Sequence, residues 1–177
     1  MDSSELLKAI LEELRAARQP LGFGHPPKPR YIYANRQYPD CLWYFWNSAK
    51  NQHEPIEYQA LTGFIEKLEL EEKEFRGKPD LKVNLHLRAD RYYVIQSGYE
   101  TLFAKGLLYT LSRLPVEAFA KPIMIAVEAG DTDQVLFARI YNPMTGSSIY
   151  APYPEDTDWE VVTKRAIEKI ERGRDRL

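Results

Sequence analysis

Cysteine is almost absent from the chain: Cys41 stands alone among 177 residues. No intrachain disulfide can form, and a cysteine-based zinc ribbon is excluded. Cys41 lies beside Leu42 and Trp43, so its thiol reads as buried and inert. Such low cysteine usage suits a reducing cytoplasm. Histidine is scarce as well. His25, His53 and His86 are far apart and fit no H-E-x-x-H spacing, and His53-Glu54 reads as a loop pair. There is no Gly-x-Ser-x-Gly elbow and no P-loop. Gly22-Phe23-Gly24 lacks a third glycine, and prolines follow where a helix should open. Asp131 and Asp133, beside Gly130, read as turn residues. Neither an enzyme, nor a metal site, nor a cofactor is expected. No run approaches about 18 uninterrupted apolar residues, so no transmembrane helix is expected. The opening MDSSELLKAI has early acids and no apolar leader core. These signs predict a cytoplasmic protein without membrane contact. A basic excess is also missing: 24 Lys and Arg face 26 Asp and Glu, a net charge of −2. That excludes a uniformly basic nucleic-acid coat but leaves room for a local basic face.

What the chain does have is aromatic side chains: twelve Tyr, seven Phe and three Trp, many interleaved with Arg and Lys. Its length fits one domain with extensions and can bury a sizeable core. Charge is uneven along it. Residues 19–39 hold Lys28, Arg30 and Arg36 and no acid, whereas 66–74 hold five Glu and two Lys. Residues 76–91 return to five bases against two acids.

Residues 2–18 predict an amphipathic helix capped by Asp2, Ser3 or Ser4, with Leu6, Leu7, Ile10, Leu11 and Leu14 on one stripe. The following QPLGFGHPPKPR has four prolines and two glycines, which read as an extended arm. Tyr31–Tyr33 and Leu42–Trp46 predict short strands, with 47–56 a polar loop. Glu57–Arg76 predicts one long strand. Leu61, Gly63 and Ile65 share one parity and Leu68 and Leu70 the other, which predicts a bulge. Gly77–Asp80 is a turn by composition. Beyond the central hairpin, 121–127 and 135–141 predict strands joined at 129–134, and 149–153 a short edge strand. Thr157 and Glu160 have capping-box spacing before a final helix with Trp159, Val162, Ala166 and Ile170 on its apolar face.

The informative stretch is Lys82–Leu114. Lys82, Asn84, His86 and Arg88 alternate with Val83, Leu85 and Leu87, the period of a half-buried strand. A second run, Arg91–Gln96, follows Ala89–Asp90. Ser97 then precedes Glu100 at capping-box spacing, and Leu102–Leu114 reads as a helix. A two-residue turn at Ala89–Asp90 sets Arg88 opposite Arg91, His86 opposite Tyr93 and Asn84 opposite Ile95. Leu87 with Tyr92 and Leu85 with Val94 then face the core. Ala-Asp is a poor pair for such a turn, so the register is open to a one-residue slip.

From residue 57 the predicted order is three strands, a helix and two strands, the order of a five-stranded OB barrel. The predicted class is mainly β with flanking helices (α+β): an OB-like barrel over 31–153, after a helix and Pro-rich arm over 1–30 and before a helix over 154–177. The run GKPDLKVNLHLRADRYYVIQSGYETLFAKGLL is similar to OB-type single-stranded DNA-binding proteins of bacteria and phages, and the resemblance covers about residues 57–142. It implies ligand contact across the second and third barrel strands and the neighbouring loops. The candidate nucleic-acid face is then Arg76, Lys78, Lys82, Asn84, His86, Arg88, Arg91 and Tyr93, with a second strip at Phe137, Arg139 and Tyr141. Cations there would hold phosphates and rings would stack on bases. The chain departs from one common bacterial pattern by ending in a mixed-charge helix rather than an acidic tail. The expected function is single-stranded DNA or RNA binding in replication, recombination or mobile-element biology. The alternative is a protein–protein adaptor that assembles, with itself or another protein, through the N-terminal helix and arm.

Overall fold

The computed structural model describes residues 2–17, 21–26 and 28–175. Arg18, Gln19, Pro20 and Pro27 of the expected helix end and arm lie outside them, as do residues 176–177. In the described part of the arm only its last residue, Arg30, belongs to a strand. The first helix, α1 (Ser3–Ala17), opens with a reciprocal cap. Glu5 N donates to Asp2 Oδ1 at 2.7 Å, and Asp2 N donates to Glu5 Oε2 at 3.3 Å. Its leucine stripe stays open, with side chains 46–67% exposed.

Eight strands follow: β1 (Arg30–Ala34), β2 (Trp43–Asn47), β3 (Gln52–Pro55), β4 (Ala60–Phe75), β5 (Lys78–Arg88), β6 (Tyr92–Gly98), β7 (Ile123–Ala129) and β8 (Leu136–Tyr141). They form one open sheet in the order β3-β2-β1-β6-β5-β4-β7-β8. Helix α2 (Leu102–Arg113), a 3-10 turn at Val116–Ala120 and helix α3 (Trp159–Asp175) complete the fold. The fold is thus β-rich with flanking helices, as expected, but it is not a closed barrel. The reason is a competition for one strand edge. Closure needs the third barrel strand, β6, to meet the last, β8. Instead β1 takes that edge in parallel, pairing Tyr31 with Val94 and Ile32 with Ile95.

The core lies on one face of the sheet. Val83, Leu85 and Leu87 of β5, Ile95 of β6, Ile125 of β7 and Ile140 of β8 are fully or nearly buried. They form one cluster with Phe103, Leu107 and Leu111 of α2 and Ala166 and Ile170 of α3. Each such aliphatic side chain contributes about 1.5–3 kcal/mol relative to exposure. Trp43 joins the cluster and anchors its indole by donating to Tyr58 O at 2.7 Å. Among the described residues no helix is long and apolar enough to cross a membrane.

Several local expectations shift for identifiable reasons. The bulge in β4 falls between Ile65 and Lys67, where the apolar parity changes. The β4–β5 turn is Arg76–Gly77, with φ of 52° and 76°, since Phe75 pairs with Lys78. Gly77 takes its left-handed backbone without steric cost. Residues 52–55 of the expected polar loop are strand β3, whose polar side chains hide the strand period. The expected strand at 149–153 does not form; an isolated bridge, Tyr141 with Ser148, lies just before it. Ser97 is not a cap, because β6 keeps pairing as far as Gly98 with Lys82. Thr101 caps α2 instead, accepting from Ala104 N at 3.2 Å. At α3 Asp158 takes that role, accepting from Glu160 N at 3.2 Å.

Candidate functional site

The hairpin register differs by one residue from the two-residue turn. Ala89, Asp90 and Arg91 form the loop, Ala89 N donates to Arg91 O at 2.9 Å, and Arg88 pairs with Tyr92. Every side chain of β6 therefore changes face. Tyr93 faces the core, 8% exposed, stacked on Phe45 and donating its hydroxyl to Asp90. Tyr92 takes its place beside His86, edge-on at 5.7 Å.

The polar face so formed pairs Arg88, His86 and Lys82 with its own carboxylates. Arg88 Nε meets Glu66 at 2.9 Å, His86 Nε2 meets Glu69 at 2.8 Å, and Lys82 Nζ meets Asp80 at 2.8 Å. Glu69 and Glu71 of β4 lie on this face, opposite Asn84 and Lys82, whereas Glu72 and Glu74 pair with Leu81 and Pro79 and point the other way. Asn84 is not available to a ligand. It is 1% exposed, accepts from Gln96 Nε2 at 2.8 Å and donates to Glu71 at 2.7 Å. The ammonium of Lys67 holds the Glu69 carboxyl below its ordinary value, and His86 adds to the effect.

The remaining candidates do not join this face. Arg76 and Lys78 sit at the opposite end of β5 from Arg88 and Arg91, roughly 34 Å away at about 3.4 Å per residue. Arg76 lies over its neighbour Phe75, and Arg91 is an exposed loop residue. Phe137, Arg139 and Tyr141 belong to β8 at the far edge of the sheet. Arg139 is paired with Glu128 and lies against the Phe137 and Tyr150 rings. The structure therefore distributes the eleven predicted residues over three places and the core.

Three other features gather side chains the sequence left scattered. On β1 and β2, Tyr31 stacks on Tyr33 and Tyr33 on Tyr44; Tyr38 meets Tyr44 edge-on. With Gln37 and Trp46, three of these rings line a shallow hollow of about 350 Å³. Burial and then the charges of Glu71 and Glu69 push the Tyr31 hydroxyl up, so this aromatic surface borders acids rather than bases. The period-two placement of Tyr31 with Tyr33 and of Tyr44 with Trp46 is its only sequence signal.

The second feature is a basic cleft between α2 and α3, lined by Ser112, Arg113, Arg165, Glu168, Lys169 and Arg172, of about 390 Å³. Lys169 donates to Leu114 O at 2.9 Å. Burial, then Arg165 and Arg113, lower its pKa. These cations are more than twenty residues removed from the basic stretch that drew attention in the sequence.

The third is a corner where the β1–β2 connection meets β3. His53 Nε2 lies 2.9 Å and 3.1 Å from the two Asp40 oxygens, and Cys41 Sγ is beside both residues. Its composition is that of a nucleophilic triad, but the proton arrangement is wrong for one. Both the thiol and the imidazole turn to Asp40. Burial and then the Asp40 charge push the Cys41 thiol up to about 11, so it is not a thiolate at neutral pH. The hydrogen bond from His53 holds Asp40 below its ordinary value. No known family model, curated protein or solved structure matches the chain.

Proposed function

We propose that the protein is a non-catalytic protein–protein assembly module that pairs with a second copy of itself through α1. The observation that carries this reading is the open stripe of Leu6, Leu7, Ile10, Leu11 and Leu14 on α1. An isolated helix of this length is marginal in water, so a well-formed α1 needs an apolar surface to pack on. The charge order of the segment favours an antiparallel copy. With the two helices crossing at Ile10, Lys8 of each copy stands opposite Glu12 of the other. A parallel copy would set like against like. The Pro-rich arm then serves as a spacer between the paired helices and the sheet domains.

The test is solution mass by light scattering at micromolar concentration. The wild-type chain gives twice its 20.6 kDa. Ile10→Glu sets two like charges against each other at the crossing point and yields the monomer with an unchanged thermal melt. Lys8→Glu weakens the dimer, and adding Glu12→Lys restores it. A monomeric wild type, or a dimer indifferent to Ile10→Glu, refutes the reading.

A second reading, single-stranded nucleic-acid binding, is favoured by one observation, the cleft of Arg113, Arg165, Lys169 and Arg172. The hairpin face gives it less support, because Arg88 and Lys82 are already engaged with Glu66 and Asp80. Low-salt titration with labelled oligo-dT separates the two readings. Binding that falls steeply with salt and is lost on Arg113→Glu with Arg165→Glu supports this one, and no binding to the folded wild type removes it.

A further inference from the structure

We infer that Asp40, Cys41 and His53 form a binding site for a borderline-soft divalent cation, zinc first. Three different donor types meet at one corner: a carboxylate oxygen, a thiol sulfur and an imidazole nitrogen, all within 4.8 Å of one another. Zinc binds such donors at about 2.0–2.3 Å. Tetrahedral angles then put nitrogen and oxygen ligands about 3.3 Å apart. His53 Nε2 and the Asp40 oxygens stand at 2.9 and 3.1 Å, so these two donors need to part by only a few tenths of an ångström to share an ion, and Cys41 Sγ lies within 4.8 Å of both.

The frame around the donors is fixed. Asp40 and Cys41 are consecutive, so the chain itself joins two of them. His53 is held in β3 by pairing with Trp46. Its ring is stacked on Tyr38 at 3.7 Å and 3°, and meets Tyr44 edge-on at 5.9 Å. The aromatic contacts fix the imidazole plane and aim Nε2 at Asp40. Packing thus orients the ring in advance.

The donor set selects the ion. One carboxylate with a sulfur and a nitrogen does not meet the all-oxygen preference of calcium or magnesium. Sulfur and imidazole suit zinc. With the thiol proton released to solvent and the imidazole neutral, with its proton on Nδ1, the ligands carry two negative charges against the two positive charges of the ion. Three protein donors leave the fourth position to water or to a donor from elsewhere. Binding ties the β1–β2 connection to edge strand β3, so the ion also stabilises this end of the sheet.

The experiment uses tag-free, reduced, full-length protein titrated with Co²⁺ under anaerobic conditions. The expected result is one equivalent bound, a near-ultraviolet thiolate-to-cobalt charge-transfer band, and displacement of that band by Zn²⁺. Cys41→Ser removes the band. His53→Gln and Asp40→Asn each weaken affinity tenfold or more, with folding checked by circular dichroism. Absence of the band in folded wild type overturns the assignment. So does a band whose affinity is unchanged in both His53→Gln and Asp40→Asn, since the thiol alone would then be the binder. None of these readouts depends on α1, so the outcome is independent of the assembly reading.

Discussion

Exchange Asn84 and Gln96 for leucine, singly and together, and the stability of the sheet reports how its polar face is built. The two residues are cross-strand partners, 1% and 4% exposed. Gln96 Nε2 donates to Asn84 Oδ1 at 2.8 Å, Asn84 Nδ2 donates to Glu71 at 2.7 Å, and Lys73 Nζ donates to Gln96 Oε1 at 3.1 Å. Asn84→Leu strands Gln96 Nε2, leaving that nitrogen only its 3.4 Å approach to Glu71. Gln96→Leu strands Asn84 Oδ1 in turn. A buried polar group without a partner costs about 1–3 kcal/mol. At a urea slope of about 2 kcal/mol/M, each single change lowers the unfolding midpoint by about 0.5–1.5 M. The double change removes both polar groups and sets two leucines beside the buried Val94. It is expected to cost less than the sum, with a coupling of about 1–3 kcal/mol. The assay is equilibrium urea unfolding followed by tyrosine and tryptophan fluorescence. Additive effects, or single changes each costing less than about 0.5 kcal/mol, would refute the claim that this face is a closed structural network.

Two further outcomes test the same physical account. Thr101→Ala is expected to cost about 1 kcal/mol, because Thr101 caps α2. Ser97→Ala is expected to cost nothing or to stabilise slightly, since the Ser97 hydroxyl is buried without a hydrogen-bond partner; differential scanning calorimetry ranks the two. The acid side is the third. The Glu69 pKa is lowered in the folded state, chiefly by Lys67. Its stabilising contribution is present above the unfolded carboxylate value and is lost as pH falls through the folded one. Glu69 is a third exposed, so the effect is a few tenths of a kcal/mol. Urea midpoints should hold through neutral pH and fall below about pH 4, and Glu69→Gln should flatten that fall. An unchanged acid slope in Glu69→Gln removes Glu69 from the account.

What the sequence made legible was local. The cap of α1 rests on Asp2 and Glu5, three residues apart, and the β4 bulge on the parity of Ile65 and Leu68. The order of strands and helix from 57 to 142 follows from period and turn chemistry. What it left open was decided between distant segments. Whether β6 pairs with β8 or with β1 depends on which edge is available, and nothing within 82–114 encodes that. The hairpin face turned on one residue: once Arg91 joins the loop, Tyr92 and Tyr93 exchange sides. The metal corner was invisible for the same reason, since His53 reaches Asp40 only because β3 folds back on β2.

The sheet edges bear on how copies of the chain can meet. An open sheet with two free edges invites strand-to-strand association. Here both edges are blunted. At one side β3 is four residues long, ends in Pro55, and commits His53 to Asp40 and Glu54 to Arg30 and Asn47. At the other, the chain after β8 turns back along its outer edge. Ile149 N donates to Ile140 O at 2.9 Å, and Asn142 N donates to Ser147 O at 2.9 Å. A proline, a short strand and a returning segment leave little backbone with which a second sheet can pair. Self-association by sheet extension is therefore disfavoured, and Lys82 and Arg88 of the hairpin are paired within its face. That leaves the α1 stripe as the apolar surface best placed to join two copies, so truncating α1 should abolish the dimer, whereas exposing the β8 edge should not be needed to form it.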